Sequence, residues 1–290
     1  MRFLWLDNEG PVIYTGTKHG ELKGIEGTVI EFPFKNPGSR LVKVDFKGKE
    51  MEIPAELLLR TKHEQNVRIH EVSESVTALL WEGFENNSNA YVIRGEGDKW
   101  ILIDPGHLGQ LGSVLGALHQ MELPLDTATA VLFTHSHPDH FESVPVFSDL
   151  NIPIGIGEKE LEYHTNQGRM LYLMFQGQAP EVKIDISMKD GKLDLEGFNI
   201  KVIHTPGHTP GHVCLLHLDE KVLITGDLIF DQGVGRTDFP GGSTKQLFES
   251  ITEAEKYDVE HICPGHGPSV SGKTAVQKNY RVIKGYASYM

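Results

Sequence analysis

Cysteine is nearly absent from this 290-residue sequence, which has only Cys214 and Cys263. Two widely separated thiols exclude a disulfide framework and lack zinc-finger spacing, so they read as small buried hydrophobes of a protein kept in a reducing compartment. Long apolar runs are missing as well. The opening "MRFLWLDNEG" has four consecutive apolar residues before Asp7 and Glu9, too few for a secretory core, and no run approaches the ~18 apolar residues of a membrane span. The expectation is a cytoplasmic protein without a membrane partner. Basic residues are outnumbered, 27 Lys and Arg against 40 Asp and Glu, for a net charge of −13. Residues 1–68 carry 11 Lys and Arg against 10 Asp and Glu, and residues 69–290 carry 16 against 30. An acidic larger part repels a polyanion, so nucleic acid is not an expected partner and a small-molecule substrate is.

What is present divides the chain in two. Up to residue 68, "EGTVIEFPF" and "RLVKVDFKGKEMEI" are rich in Val, Ile and Phe, alternate in part, and are broken by turn signals at "KNPGS" and Lys47-Gly48. They predict a small β-rich, barrel-like domain over 1–68, ending in a short helical turn at "PAELLLR". Its near-neutral charge points to a structural role or to homo-oligomer formation. Over 69–290 the pattern is α/β. "NAYVIRG", "KWILIDPG" and "TAVLFTHSH" read as strands and "LGQLGSVLGALHQMEL" as an amphipathic helix. A second round has strands at "FNIKVIHTPGH", "HVCLLHL", "KVLITGDLIF" and "HICPGHG", with a capped helix at "STKQLFESITEAEKY". Two strand-rich halves with helices predict two sheets packed face to face, helices outside. Between them, residues 158–190 carry a helical, Met- and aromatic-containing segment whose simplest use is packing.

Histidine is the residue in excess, with 15 in the chain. In "VLFTHSHPDHF", His135, His137, Asp139 and His140 fall within six positions directly after a strand-like run. Side chains at i, i+2 and i+4 of an extended chain share a face, so His135, His137 and Asp139 are expected to aim at one point, while Pro138 starts a helix that brings His140 round. Imidazole and carboxylate groups converging in this way suit zinc or iron. Three other strand ends supply the same residue types: "IKVIHTPGHTPGH" gives His204, His208 and His212, "VLITGDLIF" gives Asp227, and "ICPGHGP" gives His266.

The ordered set "HSHPDH", "TPGHTPGH", "TGD" and "PGHG" resembles the metallo-β-lactamase superfamily, and most closely its glyoxalase II-like branch, over about residues 76–268. The resemblance implies a four-layer αββα sandwich. It also implies two divalent metal ions, zinc first with iron or manganese as the other candidates. One metal would take His135, His137 and His208, the other Asp139, His140 and His266, and Asp227 would bridge them. His204 and His212 would then support the ligands rather than bind metal, and His107 of "DPGH" would approach the site. The implied reaction is hydrolysis of a small thioester or ester by a metal-bridging hydroxide, with Asp139 as the catalytic residue that orients it. Asp227 stands where lactam-hydrolysing members usually have cysteine, which points away from β-lactams. Full glyoxalase II enzymes carry a long helical C-terminal domain that helps hold glutathione, whereas 24 residues follow His266 here, so hydroxyacylglutathione itself is not the expected substrate. The segment "GVGRTDFPGG" resembles the shorter bacterial hydrolases of this branch and also the persulfide dioxygenases, so the alternative implied is a persulfide dioxygenase with one iron on His135, His208 and Asp227.

Overall fold

A computed structural model describes residues 12–22, 25–31, 41–60, 66–175 and 177–287. The "KNPGS" turn lies outside these residues. Contacts divide the chain into two compact units, one of Met1–Val67 with Leu108–Ala128, the other of Arg68–His107 with Thr129–Met290.

The first unit is built on five antiparallel strands: β1 (Val12–Tyr14), β2 (Glu26–Glu31), β3 (Leu41–Phe46), β4 (Lys49–Pro54) and β5 (Leu58–Arg60), in the order β4-β3-β2-β1-β5. Lys47 and Gly48, both at positive φ, close the β3–β4 hairpin, as the turn signal predicts. Strands β4 and β5 stand at opposite edges, yet only the 3-10 turn Ala55–Leu57 joins them. A flat sheet would separate those edges by roughly 19 Å, four spacings of ~4.8 Å. The link spans at most about 14 Å fully extended. The sheet therefore has to curl. The predicted helical turn at "PAELLLR" is thus shorter than expected, because Leu58, Leu59 and Arg60 pair with β1 instead. Helix α1 (Leu111–Gln120) belongs to this unit and packs its buried Leu111, Val114, Leu115 and Leu118 side toward β5.

The second unit holds two sheets. The first comprises β6 (Val67–Glu71), β7 (Val76–Trp81), β8 (Ala90–Arg94), β9 (Trp100–Ile103), β10 (Ala130–Phe133), β11 (Ile154–Gly157) and β12 (Ile186–Met188), in sequential order. Strands β7 to β9 are antiparallel and β9 to β12 parallel. Helices α2 (Pro138–Phe141), α3 (Val144–Asp149), α4 (Glu158–Thr165) and α5 (Gly168–Met174) occupy its crossovers, with α3 and α4 against β11. The second sheet runs β13 (Gly191–Lys192), β14 (Ile200–His204), β15 (Val213–His217), β16 (Val222–Gly226), β19 (His261–Pro264), β20 (Val270–Ser271). A hairpin of β17 (Ile229–Phe230) and β18 (Gly233–Val234) follows β16, and helices α6 (Thr244–Ala254) and α7 (Lys273–Ala287) cover the outer face.

Period-two alternation assembles these layers. Val202, Val213, Leu215, Val222 and Ile224 point inward and meet Val76, Ile93, Ile101, Ile103 and Leu132 of the other sheet. Their neighbours Ile203, Cys214, Leu216 and Leu223 point outward to Leu247 and Ile251 of α6 and Val276, Tyr280 and Ile283 of α7. Both cysteines are free and buried within these layers, as expected of small hydrophobes. The architecture is the αββα sandwich. No helix among the described residues is long and apolar enough to cross a membrane.

Candidate metal centre

Four strand ends converge at one edge of the sandwich. Strand β10 runs into Thr134–His140, β14 into the loop carrying His208, β16 into Asp227 and β19 into His266. The two sheets are tied there by the Val213 N–H donating to the Thr134 carbonyl at 3.0 Å. Close approach of the backbones requires glycine at two points. Gly226 sits at φ +44, and a Cβ there would lie 2.5 Å from Thr134 Oγ1. A Cβ on Gly265 would lie 2.2 Å from Asp227 Oδ1, so the "TGD" and "PGH" glycines make room for the ligand-type side chains beside them.

The extended chain ends at His137, which has φ −66 and ψ 151, and α2 begins at Pro138. His135 and His137 share a face, with rings 4.7 Å apart, as the alternation predicts. Asp139 does not continue that face: it enters from the first turn of α2, whose proline imposes helical φ one residue after His137. The same turn swings His140 to within 4.1 Å of His135, ring to ring.

All seven sequence candidates meet here. Donor atoms of His135, His137 and His208 lie within 4.8 Å of one another, as do those of His135, His140 and Asp227, and those of Asp139, His140 and His266. Asp227 lies between the groups: Oδ1 is 3.2 Å from His140 Nε2, while Oδ2 is 3.4 Å from His208 Nε2 and 3.5 Å from His266 Nε2. Nε2 of His135, His137, His140 and His208 and Oδ1 of Asp227 are buried without a hydrogen-bond partner, the 3.2 Å approach of His140 to Asp227 lacking hydrogen-bond geometry. Each such atom costs about 1–3 kcal/mol when left unpaired. Lone pairs from several buried rings aimed into one space fit divalent cations, which take them as ligands without needing a proton.

The hydrogen bonds behind the rings dictate the tautomers. Asp104, at φ +49 beyond β9, accepts from the Thr134 N–H at 2.8 Å, from Thr134 Oγ1 at 2.6 Å and from His140 Nδ1 at 3.0 Å. The Thr134 hydroxyl, its proton directed to Asp104, is left to accept from His135 Nδ1 at 3.1 Å. His208 Nδ1 donates to the Arg236 carbonyl at 2.7 Å. In its neutral form each ring therefore carries its proton on Nδ1 and leaves Nε2 free to bind a cation. His212 is not among the converging ligands. Its Nε2 accepts from the Asp227 backbone N–H at 3.2 Å, which leaves Nδ1 to donate to Thr205 Oγ1 at 2.8 Å. His204 Nε2 donates to the Pro210 carbonyl at 3.1 Å and closes the "TPGHTPGH" loop. His107 lines the cavity and pairs with Glu142 at 2.7 Å.

Burial pushes His135 and His137 well below the usual imidazole range, and His208 downward too, so all three are neutral. Burial also opposes charge on His140 and His266, but Asp227 outweighs it, with Asp104 beside His140 and Asp139 beside His266. His140 is held well above its ordinary value and His266 is pushed up to about 10. Asp139 and Asp227 are held below the carboxylate range, burial being overcome by the facing histidines. The centre is thus an anionic pocket that attracts positive charge, whether protons or metal.

Two carboxylates essential to this geometry carry no sequence signal as strong as the histidines. Asp104, in "IDPGH", could have been found as another strand end. Glu160, in the charged run "EKELEYH", reads as a solvated helix start yet is fully buried. Its Oε1 accepts from the N–H and Oγ of Ser136, each at 2.8 Å, and its Oε2 from Thr209 Oγ1 at 2.7 Å and the Gly211 N–H at 3.1 Å. It thereby joins the His135–His137 segment to the His208 loop.

A cavity of about 610 Å³ opens over this centre, floored by Asp139, Asp227, His137, His208 and His266 and walled by Leu171, Phe175, Phe230, Val234 and Phe239.

Residues 83–266 match the profile of the metallo-beta-lactamase superfamily. A probable metallo-hydrolase of Methanocaldococcus jannaschii is 32% identical over 195 residues, covering 65% of this chain and 92% of that protein. A hydroxyacylglutathione hydrolase, GloC of Haemophilus influenzae, is 34% identical over 173 residues, 56% of this chain and 76% of its own. Among solved structures, TTHA1623 in a di-iron-bound form superposes with a TM-score of 0.54 at 28% identity, over 63% of this chain and 89% of that one. Sequence match and sandwich geometry cover the same span and end on the same strand-end residues, and from them it follows that this chain belongs to the metallo-beta-lactamase superfamily, with the metallo-hydrolase fold and histidine-rich, metal-binding centre of that family.

Proposed function

We propose that the protein is a hydrolase of the glyoxalase II-like type that cleaves a thioester or ester of a small substrate in the cytoplasm. The observation that carries this reading is the set of orphaned Nε2 atoms converging around Asp227. His135, His137 and His208 would hold one divalent ion, Asp139, His140 and His266 a second, and Asp227 both, with zinc the first candidate. When bound, such ions supply Lewis acidity, polarising a carbonyl and making water acidic enough to attack near pH 7.

The chain's own groups do the rest. Asp139 Oδ2 accepts from Asn86 Nδ2 at 2.6 Å and faces His266 Nε2 at 3.3 Å, so its carboxylate is ionised and fixed at the cavity floor. In this position it orients an attacking water and accepts its proton. The water oxygen bonds the carbonyl carbon, the carbon–sulfur or carbon–oxygen bond breaks, and the thiol or alcohol leaves with a proton. His212 holds the Asp227 backbone, and the apolar cavity walls limit competing water. The resemblance to GloC supports this reaction class.

The test is hydrolysis of S-lactoyl and short acyl thioesters by metal-loaded protein, with and without oxygen. Equal rates under both conditions, and loss of most activity in His140→Ala, are expected. Oxygen uptake with a low-molecular-weight persulfide, undiminished by that substitution, would replace this reading with the mononuclear iron dioxygenase on His135, His208 and Asp227.

A further inference from the structure

Two ligand histidines open onto phenylalanines rather than onto charge. The His137 ring meets Phe239 edge-on at 5.7 Å, and Phe239 meets Phe175 at 6.2 Å, a continuous run of rings leading from the centre out to α5. On the other side Phe230 lies 5.9 Å from His266. Beyond the cavity the apolar surface continues on α5, where Met170, Leu173 and Met174 are exposed, and Phe175 of the cavity wall, just after that helix, is itself 62% exposed. Side chains of this kind left in water beside a reactive centre mark a surface that gains from being covered.

The positive charge near the cavity is already committed. Arg236 is the only Lys or Arg among the described residues lining it. Its Nε and Nη2 each donate to Asp238 at 2.7 Å, and its guanidinium stacks 3.8 Å above the Phe239 ring. This arrangement stiffens the apolar wall and leaves no uncompensated cation for a substrate carboxylate or phosphate. His107, the other cavity residue able to carry positive charge outside the ligand cluster, is engaged by Glu142.

We infer that the site selects thioesters or esters whose acyl group is an apolar chain or ring of several carbons, seated along Phe239 and Phe175, rather than substrates gripped by an anionic carrier such as glutathione. This inference rests on the hydrolase reading above. A methylene removed from water gains about 0.8 kcal/mol, about fourfold, so a partly enclosed chain gives roughly two- to fourfold per carbon in kcat/KM.

The experiment compares acetyl, butanoyl, hexanoyl and octanoyl thioesters of N-acetylcysteamine, an uncharged thiol, with S-lactoylglutathione, using metal-loaded protein. The expected result is a rise of roughly 16- to 250-fold in kcat/KM over the four carbons from acetyl to hexanoyl, a flatter series in Phe175→Ala, and recovery of the slope in Phe175→Leu. Because Phe175 is largely exposed, its truncation leaves the core intact. A flat series in the unmodified protein, a slope untouched by Phe175→Ala, or a rate with lactoylglutathione ten times that of lactoyl-N-acetylcysteamine would each overturn the inference while leaving the hydrolase reading standing. Absence of any thioester or ester turnover would instead remove the hydrolase reading. The acyl subsite is then decided by calorimetric titration with acetate, hexanoate and octanoate: affinity rising with length upholds an apolar subsite, and equal affinities overturn it.

Discussion

Asp104 Oδ2 lies 3.0 Å from His140 Nδ1, both side chains fully buried, although the two residues are 36 positions apart. The same carboxylate takes both donors of Thr134, so one side chain orients His140 directly and His135 through the threonine hydroxyl. Asp104→Ala frees both rings to rotate and removes the acceptor that keeps the His140 proton on Nδ1. Metal affinity is expected to fall about 10- to 100-fold, the usual consequence of losing such a partner. Competition titration with a chromophoric chelator measures it, and unchanged affinity would show that the ring positions are held by packing alone.

Glu160 offers a contrast, since it touches no ligand side chain. Replacing it with alanine leaves the Ser136 and Gly211 N–H groups and two hydroxyls without acceptors inside the fold. Stability should drop by about 3 kcal/mol, with faster release of metal as the two ligand segments loosen. Glu160→Gln should retain part of the stability, because one amide oxygen still accepts, but its NH2 group then faces a donor. Urea unfolding of the metal-loaded and chelator-treated protein reads both effects; an alanine variant as stable as the parent would refute the cross-link.

Asp139→Asn removes the proton acceptor while keeping size and the contact region of Asn86. The expected cost is roughly 10²–10⁴-fold in kcat with a much smaller change in KM. Steady-state kinetics at saturating metal separate the two. Turnover equal to the parent's would mean that Asp139 serves only to shape the pocket.

His164 gives a pH dependence apart from the metal centre. It is packed between Phe141 and Tyr172, and burial holds it below its ordinary value of 6.5, with its bond to the Pro180 carbonyl opposing this. In the unfolded chain it takes up a proton at higher pH than in the folded one. Its contribution is therefore complete above about pH 6.5 and is lost as pH falls through the lowered folded value, with a slope of at most ~1.4 kcal/mol per pH unit. The stability difference between the parent and His164→Phe should narrow or reverse in favour of the variant between pH 7 and 5. A difference independent of pH in denaturant titrations would rule out this linkage.

The ligand set is legible in the chain because its signals are local. Apolar alternation marks β10, β14, β16 and β19 as strands, and the ligand-type residues follow them within a few positions, with glycine where backbones must pass closely. His135 and His137 share a face by backbone geometry alone, whereas Asp139, expected on that same extended face, is carried off it by the helix that Pro138 begins. Other features were decided only by tertiary contact. The amphipathic pattern of α1 says that one face is buried but not against what, and contact places it with the N-terminal strands although the preceding and following strands lie in the sandwich. Glu160 reaches Ser136 and Thr209, 24 and 49 residues away, from a helix start that resembles any solvated acidic turn. The cavity wall joins Leu171 and Phe175, on and just after α5, to Phe230, Val234 and Phe239 of the β17–β18 hairpin and the loop beyond it. Periodicity reports which residues leave water; it carries no information on which distant segment they meet, since that choice is made by the packing of whole layers.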